Sequence, residues 1–336
     1  MDFCDFAPSR ETNFFATGVN MTELMSSETV ASLSLGDADL HPDSFAQALG
    51  RSFEEYGFAI VRDHGIPQAL IERAEAQAKA FFALPAAVKR AYAAAGSGGA
   101  RGYTPFGVET AKGASAHDLK EFWHVGRELP AGHRYREVMP DNVWPAEVAD
   151  FRETMMALFD AFDAAGAKVL AAVARYLGVD EDYFADTIRD GNSVLRLLHY
   201  PPVEASAGAS IRAGAHEDIN TITLLLGADE AGLELKTRDG RWIPVSPRPG
   251  ELVINIGDML QRLTNGRLRS TSHRVVNPAP ERASKARTSM PFFLHFRPDF
   301  MIEALPGTVP PGEPPIWPPI SAHDYLLERL REIKLA

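Results

Sequence analysis

The stretch Gly214–Gly227, GAHEDINTITLLLG, sets a histidine and an aspartate two positions apart at the head of a β-branched, aliphatic run. In an extended chain, residues i and i+2 point to the same side. His216 and Asp218 therefore converge on one point if the run that follows is a strand of a sandwich or barrel. The pair alone is ambiguous between an acidic surface turn and the mouth of a metal site. The chain carries its own control in LHPDSF, where His41 and Asp43 have the same spacing. A proline intervenes there and a helical pattern follows, so Asp43 or Ser44 reads as a helix cap.

A third ligand has to come from elsewhere in the chain. His273 lies in STSHRVVNP, 55 residues beyond Asp218, on a strand expected after Asn265-Gly266, which reads as a hairpin turn. Two imidazoles and one carboxylate on three corners of an octahedron leave the other corners open, which suits non-haem Fe(II) oxygen chemistry. Zinc proteolysis through H-E-x-x-H requires histidine at position 220, where the chain has Asn220. A second i, i+2 pair follows in RTSMPFFLHF, where Arg287 and Ser289 share a strand face. A guanidinium fork beside a hydroxyl makes a carboxylate clamp, and each charge-assisted bond is worth about 1.5–3 kcal/mol. Arg282 and Ser284 repeat the spacing inside NPAPERASKA, a loop by composition, so the later pair is preferred. His295 and Arg297 continue the parity of Ser289 and face the same pocket unless Pro291 breaks the alternation.

The surrounding chain is of mixed type. Val30–Gly36 alternates as a short strand, and Ser44–Gly57 is a helix closed by glycine. Phe58–Gly65 reads as a buried strand, and Pro67–Leu84 as a helix with proline at its start. The glycine-rich Ala93–Gly107 follows a helix and does not match G-x-G-x-x-G, so it is a flexible loop rather than a phosphate cradle. Arg101, beside it, is placed either in solvent or against a substrate carboxylate. A long helical pattern runs from Ala146 to Leu177, its Met, Phe and Leu stripe that of a core-facing helix. After Asn192 short strands follow one another between turn residues, as in a sandwich or barrel. A proline-rich segment and a closing helix capped by Ser321 end the chain.

A formal charge of −11 argues against nucleic acid, whose binding needs clustered Lys and Arg, and gives no support for docking on a membrane of anionic lipid. One cysteine, Cys4, leaves no internal disulfide and fits a reducing, cytoplasmic setting. Neither a signal peptide nor a spanning apolar run is expected. The charge and composition leave oligomeric state open.

GAHEDINTITLLL, GELVINIGDMLQRLTNG, STSHRVVNP and RTSMPFF, in that order, resemble the isopenicillin N synthase-like branch of the iron(II)/2-oxoglutarate-dependent dioxygenases. YGFAIVRDHGIP and ARGYTPFGVE resemble that family's N-terminal region. The resemblance implies a mixed α and β fold, with a double-stranded β-helix (jelly roll) core flanked by helices, one of them long. It implies residues 1–27 as an extension, 28–190 as a helical and lid region, 191–300 as the Fe(II)/2-oxoglutarate core, and 301–336 as a Pro-rich segment and helix. By position, His216, Asp218 and His273 match the iron ligands, and Arg287 and Ser289 match the pair that holds the distal carboxylate of 2-oxoglutarate. Tyr200 matches a tyrosine that helps hold that carboxylate, and Phe293 a position lining the substrate pocket. Leu198 replaces an asparagine found in many plant members, which argues against plant-type flavonoid substrates.

The implied activity is oxidation of a small molecule by O2, with 2-oxoglutarate converted to succinate and carbon dioxide. Three alternatives stand beside it: an oxidase of the same family that needs no 2-oxoglutarate, an ethylene- and succinate-forming enzyme, and a non-catalytic metal-binding jelly-roll module.

Overall fold

The computed structural model describes residues 30, 32–93, 100–108, 120–202, 213–226, 232–277 and 286–332. The N-terminal extension with Cys4, the glycines of Ala94–Gly99 and the Arg282/Ser284 pair lie outside the described residues.

Strand β1 (Ser32–Ser34) runs parallel to β2 (Phe58–Arg62), joined through α1 (Asp37–Leu40) and α2 (Pro42–Tyr56). Helix α2 buries Phe45, Leu49 and Phe53 on one stripe. It stops at Gly57, whose φ of 69° favours glycine. A Cβ there would lie 2.3 Å from Thr271 Oγ1, so the helix end sits directly on the segment leading to His273. Asp43 is not a cap. Pro42 opens the helix behind His41, no side chain caps it, and Asp43 instead pairs with Arg175 at 2.8 Å.

Helices α3 (Gln68–Phe82) and α4 (Ala86–Ala91) precede β3 (Gly102–Thr104) and β4 (Glu121–Gly126). The end of the glycine-rich stretch is therefore a sheet-edge strand rather than loop. Helix α5 (Phe151–Leu177) starts five residues later than its pattern predicts and is followed by α6 (Tyr183–Ile188). Then come β5 (Val194–Tyr200), β6 (Ala213–His216), β7 (Ile222–Leu226), β8 (Leu233–Lys236), β9 (Trp242–Pro244) and β10 (Leu252–Ile256). After α7 (Asp258–Leu263) the chain forms β11 (His273–Val275), β12 (Arg287–Ser289), β13 (Pro291–Leu294), β14 (Met301–Ile302) and β15 (Ile320–Ser321). Helix α8 (Ala322–Glu332) closes the fold, its Asp324 N–H donating to Ser321 Oγ at 3.0 Å, the cap expected from sequence.

Asn265-Gly266 does not turn a hairpin. Both residues are left-handed, φ 49° and 81°, and the Gly266 N–H donates to Gln261 O at 2.8 Å, stopping α7. Left-handed Asn-Gly serves a helix end as well as a hairpin, and the buried Met259, Leu260 and Leu263 upstream carry helical spacing.

Two sheets carry the site. The larger has the order β1-β2-β10-β7-β13-β5-β4-β3, with β12 also paired to β5, and the smaller is β6-β11-β8-β9. One face of the larger sheet packs on α5, where Phe162 stacks on Phe292 at 5.4 Å. The other face turns Phe58, Ile60 and Val253 toward Leu233, Leu235 and Val275 of the smaller sheet. Among the described residues no helix is long and apolar enough to cross a membrane.

A buried polar cluster ties α4 to the outer face of this framework. Lys89 Nζ donates to Glu121 Oε2 at 2.8 Å, Tyr103 Oη to the same oxygen at 2.5 Å, and His199 Nδ1 meets Oε1 at 2.8 Å. Burial pushes the Glu121 carboxyl up, but the bonds from His199, Lys89 and Tyr103 outweigh it and hold its pKa below the ordinary value. A depressed carboxylate stabilises the fold at neutral pH and loses that contribution as pH falls. Glu121→Ala strands Lys89 in the interior and should cost about 3–5 kcal/mol in denaturant unfolding at neutral pH. A loss below about 1 kcal/mol, the range of an exposed pair, would contradict this role.

Candidate active site

His216 ends β6 and His273 begins β11, directly opposite each other in the antiparallel ladder. Opposed residues share a face, and the two rings lie 4.4 Å apart between centroids. Asp218 is not on their strand. It lies where the chain leaves β6 for β7 in the larger sheet, so convergence comes from the crossing between sheets rather than from strand alternation. His216 Nε2 is 3.8 Å from Asp218 Oδ1, and His273 Nε2 is 3.9 Å from Oδ2. One ligand atom from each of the three lies within 4.8 Å of the others.

Each ring is oriented from behind. Nδ1 of His216 faces Gly214 O at 2.8 Å, and Nδ1 of His273 faces Thr271 O at 3.1 Å. A carbonyl only accepts, so both Nδ1 atoms carry the proton and both Nε2 lone pairs are left for a metal. Asp218 is held with equal definition. Thr223 Oγ1 donates to Oδ2 at 2.5 Å and Asn255 Nδ2 to the same oxygen at 2.8 Å, leaving Oδ1 turned to His216. Phe58 closes one side, edge-on to His273 at 5.5 Å.

The electrostatics suit a ligand set. Lost hydration, then the neighbouring His273, push His216 down to about 4. Its side chain nevertheless keeps 40% of its surface accessible. Burial raises the Asp218 carboxyl, but His273, His216 and the bonds from Asn255 and Thr223 outweigh it and hold it below the usual range. At neutral pH His216 is neutral and Asp218 ionised, and with His273 they make two imidazoles and a carboxylate, the donor set that suits ferrous iron with open positions.

The register places the remaining predicted residues. Asn255 and Phe293 flank Thr223 on β10 and β13, Phe293 lies opposite Val194, and Val194 opposite Gly126. Alternation along β5 then puts Arg196, Leu198 and Tyr200 on this same inner face. Tyr200 lies opposite Arg287 and Leu198 opposite Ser289. The guanidinium carbon of Arg287 is 5.5 Å from the Tyr200 ring centroid, and Arg287, Ser289 and Tyr200 are all buried. The strand breaks at Met290, yet Phe293 stays on the inner face, with Arg196 over its ring at 5.2 Å.

His295 is buried, and its Nδ1 faces Phe293 O at 3.1 Å. Burial drives it down to about 4, and the charges of Asp218 and Arg101 both act on it. Arg297 turns away from the pocket to Asp186 at 2.9 Å and Asp299 at 3.2 Å, contrary to its parity. Arg101 is not solvated: it is 2% exposed, and burial lowers its pKa to about 10.

Sequence reading missed Thr223, Asn255 and the pair in which Arg196 Nε donates to His124 Nε2 at 2.6 Å. Asn255 had a legible signal, an amide inside the otherwise aliphatic LVINI. Thr223 looked like an ordinary β-branched strand residue, because its role depends on where Asp218 arrives.

With this geometry in hand, residues 29–147 match the family described as non-haem dioxygenase in morphine synthesis N-terminal, and residues 191–296 match the 2OG-Fe(II) oxygenase superfamily. The chain is 36% identical over 290 residues to the 2-oxoglutarate-Fe(II) type oxidoreductase hxnY of Emericella nidulans, covering 83% of this chain and 82% of the relative. It is similar to the crystal structure of a 2OG-Fe(II) oxygenase family protein from Caulobacter crescentus, with TM-score 0.85, 56% identity, and coverage of 90% of this chain and 99% of that one. A Neurospora crassa protein crystallised with alpha-KG and thymine aligns with TM-score 0.80 and 30% identity, over 90% of this chain and 96% of that one.

Thr223→Val should leave the fold intact and weaken ferrous iron binding about 10–100-fold in anaerobic titration, the usual cost of losing an outer hydrogen bond to a ligand.

Proposed function

The chain belongs to the 2OG-Fe(II) oxygenase superfamily, and from that premise we propose which of its residues do the work. The protein is a non-haem oxygenase that uses Fe(II), 2-oxoglutarate and O2 to oxidise a small molecule. His216 Nε2, Asp218 Oδ1 and His273 Nε2 are the iron ligands in this reading. When bound, the iron supplies the oxidative decarboxylation of 2-oxoglutarate to succinate and carbon dioxide that is coupled to substrate oxidation. One oxygen atom of O2 enters succinate and the other is available to the substrate.

The chain's own residues bind and orient. Arg287 and Ser289, with Tyr200 beside them, take the distal carboxylate of 2-oxoglutarate, a guanidinium fork and two hydroxyls on one buried face. Phe293, His295 and Arg101 border the substrate. The two facing sheets are read as a double-stranded β-helix, with residues 191–300 as its core. Residues 28–190 are the helical and lid region, and 301–336 the closing segment. The observation that carries the reading is the convergence of two imidazoles and one carboxylate between the sheets, with a buried arginine on the same inner face.

Adding 2-oxoglutarate to the anaerobic Fe(II) protein should produce a metal-to-ligand charge-transfer band. Arg287→Met should weaken 2-oxoglutarate about 10–150-fold, the loss of one charge-assisted contact, while iron affinity holds. His216→Ala should abolish the band and succinate formation together. Equal loss of iron and 2-oxoglutarate in Arg287→Met would contradict these roles. Absence of any band in the unaltered protein would favour a member that oxidises its substrate without 2-oxoglutarate.

A further inference from the structure

The row of inner-face residues Thr223, Phe293, Val194 and Gly126 runs from the metal triad to the β4 edge. Its last position has no side chain, and Arg101 fills the space. A Cβ at Gly126 would fall 1.9 Å from the Arg101 guanidinium carbon and 2.1 Å from Nη2, so only glycine admits the group there. The guanidinium is thus laid against the strand inside the protein.

Its surroundings do not satisfy it. Arg101 is 2% exposed, and no carboxylate among the described residues pairs with it. Nη1 donates only to Ala100 O, the carbonyl just before it, at 2.7 Å. Nη2 reaches Asn192 Oδ1 at a long 3.5 Å, and Nε is buried with no partner. Guanidinium stays protonated near neutrality. Holding such a charge in the interior without a counter-charge is unfavourable, and an anion from outside would relieve that cost. His295 is near enough to both for the charges of Arg101 and Asp218 to act on its ring.

The co-substrate is not that anion in the geometry above. Gly126 lies opposite Val194 and Arg287 opposite Tyr200, at the two ends of β5 and about 20 Å apart along the strand. Thr223 and Gly126 are three strand spacings apart, about 14 Å. Two arginines therefore flank the iron site from different sides.

We infer that Arg101, seated on Gly126 with Asn192 and His295 beside it, anchors a carboxylate of the substrate, so that the enzyme oxidises a small organic acid. This rests on the oxygenase reading of the same site and adds the chemical class of its substrate. Nε and the free Nη hydrogens form a planar fork that fits two carboxylate oxygens, while Phe293 offers an apolar wall to the acid's carbon frame.

The test uses the anaerobic holoenzyme with Fe(II) and 2-oxoglutarate, and benzoate and benzamide as a charged and a neutral probe of one shape. Benzoate should bind saturably by calorimetry and benzamide about tenfold or more weakly, the discrimination of a charge-assisted contact. Arg101→Met should erase that preference, leave the 2-oxoglutarate band unchanged and raise or preserve the melting temperature, because an uncompensated charge has been removed. Arg101→Lys should restore part of the preference. Gly126→Ala should lose it with Arg101 still present, which covers the case of a poorly folding Arg101→Met. The inference is overturned if benzoate gives no saturable response, if the probes bind alike, if Arg101→Met binds benzoate as the unaltered protein does, or if Arg101→Met loses 2-oxoglutarate instead. Failure of the oxygenase reading looks different: no charge-transfer band in the unaltered protein, with the Arg101-dependent benzoate preference intact.

Discussion

Asp218 Oδ2 receives two hydrogen bonds from the larger sheet, one from Thr223 on β7 and one from Asn255 on β10. That single oxygen fixes where the chain arrives after crossing from β6, and it sets the other oxygen toward the imidazoles of the smaller sheet. The backbone repeats the constraint, since the Asp258 N–H at the start of α7 donates to Asp218 O at 2.7 Å. Asp258 is in turn reached by Tyr325 Oη at 3.2 Å, so the closing helix bears on the same corner. The two sheets and α7 meet at Asp218, and α8 reaches that corner through Asp258. Without the two donors Asp218 would be a buried, underbonded anion whose natural response is to take up a proton and cease to be a ligand.

Other interior charges are handled in contrasting ways. Glu121 is surrounded by Lys89, Tyr103 and His199, and its charge is matched within the protein. That cluster is on the outer face of β4 and stiffens the framework. Arg101 is on the inner side and has no such match among the described residues, while His216 and His295 respond to burial by remaining neutral. Charges completed by protein belong to the support, and groups left for a ligand cluster on the face between the sheets.

Much of the framework was legible because hydrophobic period and turn residues act locally. The α2 stripe with its Gly57 stop, the buried β2 strand and the Ser321 cap required no knowledge of partners. The motifs around His216, His273 and Arg287 were legible by spacing, and the structure brings the first two together with Asp218. Other features depended on what lies across the fold. Asn265-Gly266 is compatible with both a hairpin and a helix end, and only the packing of Met259, Leu260 and Leu263 selects the second. Arg297 follows the parity of Ser289 in sequence, but the break at Met290 and the carboxylates of Asp186 and Asp299 turn it outward. Arg101 looked like a surface arginine beside a loop. Its burial is set by Gly126, 25 positions away in the sequence, whose missing side chain leaves no local trace.

At the centre of the molecule one ion is held by three side chains from two sheets, with no further protein ligand. Anomalous diffraction at the iron edge, from crystals grown anaerobically with Fe(II), reads that directly. One strong peak is expected, bonded to His216 Nε2, Asp218 Oδ1 and His273 Nε2, its remaining positions open toward the face that carries Arg287. A peak away from these atoms, or a fourth protein side chain completing the coordination, would contradict it.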